Sequence, residues 1–338
     1  MRVAVVWNHD RTGVINRFGQ PRPEEPEELG RETFDDVVAA LQEGGHETLL
    51  CEGDKGLLAT LERFMPPDPQ ARPSGMVFNM AYGIQGECSC AHVPAMLEMA
   101  GVPYTGPTPL GHGLADDKVI TKRLLRDSGV PTPNFRVMRR GTESTDDLRF
   151  PVIVKPRHED YSFGLQLVHE PAQLGEAVEA IVTQYAQDAL VEEYIEGREI
   201  CVALLGNEEL EVFPPVEIDL GETGLFTWEK KRNLAAAKQP MIWPAQIASS
   251  LATLLQDISV ASFRACQCRD YARLDLRIDR SGRPFVLEMN SPGLSMYSTF
   301  AKAAMTAGHS YSSLINRILH VGQMRYFGIG IPRPCWTS

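Results

Sequence analysis

The chain has no apolar run long enough to cross a membrane. The longest clean apolar stretch near its start is five residues, 3–7, whereas a membrane-spanning helix needs about 20 residues. The stretch is also too short for the core of a signal peptide, and a buried first strand explains it better. We therefore expect a cytoplasmic protein that does not associate with a membrane.

Positive charge is scarce. The 338 residues contain 33 Lys and Arg against 44 Asp and Glu, which gives a net charge of −11 at pH 7. A surface of that sign repels phosphate backbones, so we expect no nucleic-acid partner. An anionic nucleotide would need a local cluster of Lys and Arg to overcome this background.

Several familiar motifs are missing. No G-x-x-x-x-G-K-[ST] occurs, and no G-x-G-x-x-G follows the first predicted strand, which disfavours a P-loop enzyme and a standard dinucleotide binder. No G-x-S-x-G is present, and the eight His form no recognisable arrangement. A Ser-His-Asp hydrolase or a Cys-nucleophile enzyme therefore has no support.

The seven cysteines include two Cys-x-Cys pairs, Cys88 with Cys90 and Cys266 with Cys268. Zinc sites usually separate paired cysteines by two or more residues, so this spacing does not predict a metal centre. An odd number of cysteines in a chain without a secretion signal indicates reduced thiols.

Strand and helix patterns alternate through the N-terminal third, which predicts a parallel α/β layer. The strand-like runs are residues 3–7, 46–51 and 76–79, and the helical ones are residues 32–43, 57–64 and 93–100. Further strands and helices follow, including a hairpin with strands at residues 200–205 and 210–217. Because 338 residues exceed what one hydrophobic core usually supports, we expect two or three domains.

A hairpin late in the chain carries the strongest chemical signal. Residues 273–279 and 285–290 alternate polar with apolar side chains and meet at a glycine turn. Alternation puts Asp275 on one face of the first strand, and Glu288 and Asn290 on one face of the second. If those faces coincide, the three side chains converge with no basic partner between the acids. Such an all-oxygen cluster suits Mg²⁺; the alternative is a solvated hairpin face.

Other segments offer groups for a nucleotide. Lys155 closes an apolar strand, where ligands bind in α/β proteins, and Ser162 lies in the next loop, which can fold over phosphates. Residues 192–195 form an extended segment able to read an adenine edge, and Glu199 offers a carboxylate for ribose hydroxyls. Lys231 lies on a polar loop that could close over a transferred phosphoryl group. The alternative for each is a solvated surface charge.

Between residues 76 and 321 these segments follow a fixed order. In that order they are Asp117-Lys118 with Thr121-Lys122, Lys155-Pro156 with Ser162, Glu192 to Ile195 with Glu199, Trp228 to Lys231, Trp243-Pro244-Ala245, Arg273 with Asp275, and Glu288-Met289-Asn290 with Gly293. The series resembles the D-alanine–D-alanine ligases of the ATP-grasp superfamily.

The resemblance implies an α/β fold of the ATP-grasp type with three subdomains. A Rossmann-like, pre-ATP-grasp layer would occupy residues 1–110, and a central lobe residues 111–196. A C-terminal lobe with the magnesium and substrate site would occupy residues 197–326, and residues 327–338 would form a tail. By the same resemblance, the two lobes would be α+β units that clasp ATP between them.

The resemblance also implies an ADP-forming acid–amino-acid ligase, in which ATP phosphorylates a carboxylate and an amine then attacks the acyl phosphate. The implied residues are Lys118, Lys155, Glu192, Glu193, Tyr194, Ile195, Glu199 and Lys231 for ATP; Asp275, Glu288 and Asn290 for Mg²⁺ or Mn²⁺; Arg273, Lys231, Ser162 and the Gly293 N–H for catalysis; and Ser298 and Tyr82 for substrate. The partners would be small amino acids or other carboxylates, and the resemblance suggests a homodimer.

The departures from the family pattern fall on the amino-acid side. The family's first loop carries a Glu in a Gly-Gly-x-Ser-x-Glu motif that binds the ammonium of the first D-alanine, and residues 7–13 here contain no such motif. Asp10 and Glu24 are candidates to replace it. The family's Leu-His-Gly becomes Ala81-Tyr82-Gly83, its Gly-Ser-Ser-Val-Gly becomes the sequence of residues 160–164, and the segment after Asn290 is one residue shorter.

A site built to pair a buried charge discriminates against substrates that lack it, so a change of that partner should change the substrate. We therefore predict a ligase for amino acids other than the standard D-alanine pair. The first alternative is a genuine D-alanine–D-alanine ligase of cell-wall precursor synthesis, with its acidic residue supplied by another segment. The second is a nucleotide-binding protein without turnover.

Overall fold

The fold was analysed in a computed structural model of the chain. It describes residues 1–8, 27–70, 72–84, 86, 88–159, 162–221, 224–225 and 240–328, with the backbone alone for residues 27–30. Lys231, Asp10 and Glu24 lie outside the described residues, as do residues 329–338 of the predicted tail.

The first sheet is parallel, as the alternating pattern predicts. Its strands, in the spatial order β2-β1-β3, are β1 (Arg2–Trp7), β2 (Glu47–Glu52) and β3 (Gly75–Asn79). Its helices are α1 (Glu27–Glu43), α2 (Leu57–Phe64) and α3 (His92–Met99), the last preceded by a short 3₁₀ helix, Ser89–Ala91. β1 is buried from Val3 to Trp7, which is typical of a parallel strand covered on both faces.

The central part of the chain forms an antiparallel sheet. In the spatial order β4-β7-β5-β6, the strands are β4 (Phe135–Met138), β5 (Val152–Pro156), β6 (Gln166–Val168) and β7 (Ala189–Glu193). The helices are α4 (Pro109–Asp116), α5 (Lys118–Asp127) and α6 (Pro171–Tyr185). The apolar stripe of α6, including Val178 and Ile181, shares a buried core with Val152 and Val191, which fixes the sheet beneath the helix.

A second antiparallel sheet follows. Its strands are β8 (Gly197–Gly206), β9 (Leu210–Val212), β10 (Val216–Ile218), β11 (Met241–Ile242), β12 (Asp270–Asp279) and β13 (Pro284–Asn290). They run in the order β11-β10-β8-β12-β13, and β9 pairs with β8. The helices are α7 (Ser249–Ala265), α8 (Thr299–Thr306) and α9 (Tyr311–Phe327).

One predicted strand is wrong. The sequence pattern suggested a continuous strand over residues 210–217, whereas the structure has β9 and β10 with residues 213–215 between them. Pro214 and Pro215 fall in that gap. Proline has no N–H to donate to the ladder, so the strand breaks there.

Helix α9 closes the first layer from the far end of the chain. Its Leu314 and Ile318 lie in one buried cluster with Val3 and Phe78 of the parallel sheet. The Asn316 Nδ2 also donates a hydrogen bond of 2.7 Å to the carbonyl oxygen of Ala40. The exact domain boundaries at residues 110, 196 and 326 stay predictions. No helix in the described part of the chain has the length and apolar character needed to span a bilayer.

Candidate active site

A cleft lies between the central and C-terminal sheets and encloses about 770 Å³ of empty space, part of it open to solvent. It brings together most of the residues that the sequence singled out for ATP and metal. Those in its wall are Lys118, Lys155, Ser162, Glu192, Glu193, Tyr194, Ile195, Glu199, Asp275 and Glu288.

The predicted metal ligands converge. In the antiparallel pairing of β12 with β13, Asp275 lies opposite Glu288. The Asn290 Nδ2 donates a hydrogen bond of 2.9 Å to the Asp275 Oδ2 and one of 3.2 Å to the Glu288 Oε1. The two faces of the hairpin therefore coincide, as the alternation suggested.

The expectation that no basic group accompanies these acids is wrong. Arg273 donates from Nε and Nη2 to the two oxygens of Asp275, each at 2.7 Å, because residues two apart on a strand share a face. The Lys118 Nζ lies 3.9 Å from the Glu288 Oε2. Burial alone would lower the pKa of Arg273, but Asp275 raises it above its usual value, so the guanidinium stays charged.

The same three side chains fit a magnesium ion. Asp275 and Glu288 offer carboxylate oxygens, and a half-turn of the Asn290 amide brings its Oδ1 to the place where Nδ2 now contacts both acids. Mg²⁺ favours one or two carboxylates together with phosphate oxygens and water. The donor set therefore suits a hard cation such as Mg²⁺.

Lys118 is positioned by the start of α5. Asp117 caps this helix by accepting hydrogen bonds from the backbone N–H of Val119 (3.0 Å) and Ile120 (3.1 Å). Arg157, which follows β5, donates to both oxygens of Asp117. The Lys118 Nζ donates to the carbonyl oxygen of Glu159 at 2.7 Å, so the ammonium group is held at the cleft wall beside the loop after β5.

A buried carboxylate joins two lysines. The Glu192 Oε1 lies 2.5 Å from the Lys155 Nζ, and its Oε2 lies 2.7 Å from the Lys122 Nζ. Burial would raise the pKa of Glu192, but the two ammonium groups lower it below its usual value, so the carboxylate is ionised. Lys122 lies in the Thr121-Lys122 motif, but no local sequence pattern predicted that Glu192 is its partner.

The backbone of the predicted adenine segment is partly engaged. The N–H of Glu193 donates to the carbonyl oxygen of Asn134 (2.9 Å), and that of Tyr194 donates to Pro151 (3.0 Å). These two amides belong to the sheet and its edge. Ile195 is left as the candidate amide for reading the edge of a base.

Arg277 lines the cleft, although the sequence pattern assigned it no role in the site. It lies opposite Glu199 in the pairing of β12 with β8, and its Nε donates to the Glu199 Oε2 at 3.0 Å. Its guanidinium also donates to the carbonyl oxygens of Ile195 (3.2 Å) and Gly224 (2.7 Å) and lies 5.3 Å from the ring centroid of Tyr194. The alternation of side chains predicted that Arg277 and Asp275 share a face of the strand. The contact of Arg277 with Glu199 follows from the pairing of β12 with β8, which local sequence patterns do not predict.

Tyr82, Gly293 and Ser298, predicted for catalysis and substrate, do not line this cleft. A Cβ added at Gly293 would lie 3.6 Å from the Tyr82 hydroxyl, so these two residues are neighbours. Ser298 caps α8, where its Oγ accepts a hydrogen bond of 3.2 Å from the N–H of Ala301.

Exposed aromatic side chains lie near Ser298. The side chain of Lys302, one turn into α8, lies with its Nζ 5.2 Å from the ring centroid of Trp243 and 5.7 Å from that of Tyr297. Both rings are well exposed, at 43% and 40%. Among the described residues, the surface near Ser298 therefore combines two exposed aromatic rings with the ammonium group of Lys302.

An antiparallel central sheet and a C-terminal sheet, with basic residues and an acidic hairpin facing a cleft between them, define the ATP-grasp fold. A solved structure agrees: D-alanine–D-alanine ligase from Bacillus anthracis complexed with ATP matches with a TM-score of 0.75 at 22% identity, over 96% of this chain and 98% of that one.

Sequence comparisons give the family. The model of the D-ala D-ala ligase C-terminus matches residues 124–320. The D-alanine–D-alanine ligase of Bordetella pertussis is 33% identical over 296 residues, 86% of this chain and 92% of that protein. The uncharacterized protein y4sG of Sinorhizobium fredii is 74% identical over 335 residues, 98% of this chain and 99% of that protein. The chain belongs to the D-alanine–D-alanine ligase family and is an ATP-dependent ligase of that kind, which confirms the resemblance seen in the sequence.

Proposed function

We propose that the protein forms an amide or dipeptide bond between amino acids other than the standard D-alanine pair. The γ-phosphoryl group of ATP passes to a substrate carboxylate: a P–O bond to the carboxylate forms, the bond to the β-phosphate oxygen breaks, and ADP leaves. An amine then attacks the acyl carbon. The new C–N bond replaces the C–O bond to phosphate, inorganic phosphate leaves, and the nitrogen loses a proton.

One arrangement supports this proposal. Asp275, Glu288 and Asn290 converge at a cleft, and Lys118 and Lys155 lie in the wall of that cleft. A magnesium ion bound by the three residues would supply positive charge to the phosphate oxygens. Lys118 and Lys155 add cations at the same wall, and each charged donor of this kind is worth on the order of a few kcal/mol of barrier.

Arg273 is suited to the second half of the reaction. It is half-buried, stays charged, and is oriented by two hydrogen bonds to Asp275. A fixed guanidinium stabilises the oxyanion that develops when an amine adds to an acyl phosphate, because it needs no reorganisation during the step. The N–H of Gly293 is the second proposed donor, and Lys231 and Ser162 are proposed to hold the transferred phosphoryl group.

The choice of a non-standard substrate pair is supported by the amino-acid side of the site. Tyr82, beside Gly293, stands where the family has a histidine, and Trp243 and Tyr297 present exposed rings near Ser298. Aromatic walls favour side chains larger than the methyl group of alanine. Retention of Arg273 and Ser298 supports the second candidate, a genuine D-alanine–D-alanine ligase.

The test is release of phosphate from ATP and Mg²⁺ in the presence of single and paired D- and L-amino acids, with products identified by mass spectrometry. We expect a dipeptide or amide from a pair that includes a larger side chain, and at least about 100-fold slower formation of that product by Glu288→Gln. Turnover with D-alanine alone would establish the second candidate instead. Tight ATP binding without ADP formation under any condition would contradict both and indicate a nucleotide-binding protein.

A further inference from the structure

Two thiols and a carboxylate form a cluster outside the cleft, and the proposed reaction does not use them. Cys88 precedes the short 3₁₀ helix Ser89–Ala91, Cys90 lies within it, and Asp116 is the last residue of α4. One sulfur from each cysteine and one oxygen of Asp116 all lie within 4.8 Å of one another. All three residues are half-buried.

A fourth donor approaches from another part of the chain. His158 follows β5, and its Nδ1 lies 3.6 Å from the Asp116 Oδ2. The backbone N–H of His158 donates to the Gln187 Oε1 at 3.0 Å, which holds the residue in place. The four side chains thus come from three segments: the loop before α3, the end of α4 and the loop after β5.

The backbone of α4 allows one thiol to approach closely. A Cβ added at Gly113 would lie 3.3 Å from the Cys88 Sγ. That separation is shorter than ordinary van der Waals contact, so a larger residue at position 113 would displace the sulfur from its present position. The glycine therefore helps to keep the thiol beside the carboxylate.

The chemistry of Cys88 differs from that of the second Cys-x-Cys pair. The hydrogen bond from Cys90 is the main cause that lowers the pKa of Cys88, with a smaller contribution from His158, although burial and Asp116 oppose the shift. Burial instead raises the pKa of Cys266 to about 12 and that of Cys268 well above its usual value. Among the residues that the structure describes, the two sulfurs of the first pair lie beside a carboxylate oxygen, and this geometry suits a cation.

We propose that Cys88, Cys90, Asp116 and His158 form a binding site for a thiophilic divalent cation, with Zn²⁺ as the best match. Two thiolates, one imidazole and one carboxylate are all zinc ligands, at about 2.3, 2.0 and 2.1 Å respectively. Tetrahedral ligands at those lengths are about 3.3–3.8 Å apart. The two sulfurs and the Asp116 oxygen, which lie within 4.8 Å of one another, therefore need to close by at most about 1.5 Å around the ion. His158 lies outside that group of three, so its ring has to turn toward the two sulfurs to complete the site. The Cys-x-Cys spacing is shorter than that of most zinc sites and did not predict this one, and the other two donors lie far away in the sequence.

Bound metal would tie the N-terminal region to the ATP cleft. Glu159, the residue after His158, lies in the cleft wall, and its carbonyl oxygen accepts the hydrogen bond from Lys118. An ion shared by His158 and the two cysteines would fix the start of this loop relative to α4. The site is therefore structural in character, and its occupancy can be measured without turnover.

The test uses tag-free, full-length protein, stripped of metal under reducing conditions and titrated with Zn²⁺ and Co²⁺. We expect one Zn²⁺ per chain, and a Co²⁺ complex with thiolate-to-metal charge-transfer absorption. Replacement of both thiols in Cys88→Ser/Cys90→Ser should weaken Zn²⁺ binding by at least about 100-fold and abolish that absorption. The matched control, Cys51→Ala/Cys268→Ala, removes two thiols elsewhere and should bind as the wild type does.

A second variant guards against a folding defect in the first. Asp116→Asn keeps both sulfurs, so it should bind Zn²⁺ about 10–100-fold more weakly while it retains the charge-transfer absorption. Circular dichroism checks that each variant is folded. The proposal is overturned if the wild type binds no Zn²⁺, if the cysteine variant binds as tightly as the wild type, or if the control loses binding to the same extent.

Discussion

Asp275 and Glu288 face each other across one rung of the ladder between β12 and β13, and the register shifts immediately after Asp275. The shift is a local irregularity of the kind found next to active sites, where it re-aims side chains. The two carboxylates lie opposite each other in the ladder, and both accept hydrogen bonds from the Asn290 amide. The register of the β12–β13 pair therefore positions the two acidic side chains next to each other.

The first prediction concerns that pair. Glu288→Gln removes one negative charge from the proposed magnesium site while it preserves the shape of the side chain. We expect ATP-dependent turnover to fall by at least about 100-fold and the Mg²⁺ concentration for half-maximal rate to rise. Steady-state phosphate release measured across a Mg²⁺ series checks both. Glu208→Gln, an exposed carboxylate in the turn between β8 and β9, should change neither value, and an unchanged rate in Glu288→Gln would remove the basis for a metal site here.

The second prediction concerns Lys122, which is fully buried against Glu192. Burial lowers its pKa from 10.5 to about 8, although Glu192 opposes the shift. The unfolded chain therefore binds more protons than the folded chain between pH 8 and 10.5, and the contribution of this site to the free energy of unfolding rises with pH across that window. Urea unfolding at pH 7.5, 8.5 and 9.5 should show a gap between wild type and Lys122→Met that widens in favour of the wild type. If the difference in the free energy of unfolding stays constant or narrows as the pH rises, the pKa of Lys122 is not lowered in the folded protein.

The third prediction concerns Arg277. Arg277→Met leaves the buried Glu199 carboxylate without its guanidinium partner, which should lower the free energy of unfolding by about 3 kcal/mol. Loss of the contacts to Ile195 and Gly224 should also raise the KM for ATP by about tenfold. Chemical denaturation and ATP titration measure the two effects. Arg283→Met is the matched control, since Arg283 is exposed and pairs with Asp279 in the hairpin turn; it should cost less than about 1 kcal/mol and leave the KM as it was.

The fourth prediction concerns the cap that positions Lys118. Asp117→Ala removes the acceptor for the N–H groups of Val119 and Ile120 and should destabilise the protein by about 1–2 kcal/mol. Asp117→Asn keeps an oxygen for the cap but weakens the pairing with Arg157, so it should retain most of the stability. Thermal unfolding ranks the two variants. If Asn proves as damaging as Ala, the ion pair with Arg157 rather than the cap holds the helix start.

Local sequence patterns predicted two main features of this structure. The alternation of strand and helix signals predicted the parallel first sheet, and the period-two pattern of residues 273–290 predicted that Asp275, Glu288 and Asn290 converge. Both depend on neighbours in sequence, where periodicity and turn residues act directly.

The contacts that sequence reasoning missed join residues far apart in the chain. Glu192 meets Lys122 across 70 positions, and Arg277 meets Glu199 across 78. Such pairs are set by which strands and helices become neighbours, and a single sequence does not encode that choice in its local pattern. The break at Pro214 and Pro215 is different, because proline chemistry was visible in the sequence and outweighs the apolar run around it.

The position of α9 has a consequence for any shortened form of the protein. Leu314 and Ile318 pack against one face of the N-terminal sheet, and the Asn316 side chain donates a hydrogen bond to the carbonyl oxygen of Ala40 near the end of α1. A fragment that stops near residue 110 would leave this apolar face in water, so it should aggregate rather than fold alone. Expression of residues 1–110 together with a separate peptide spanning residues 308–328 supplies the missing helix as a second chain. Recovery of a soluble pair would show that the N-terminal layer depends on the last helix of the chain for its solubility.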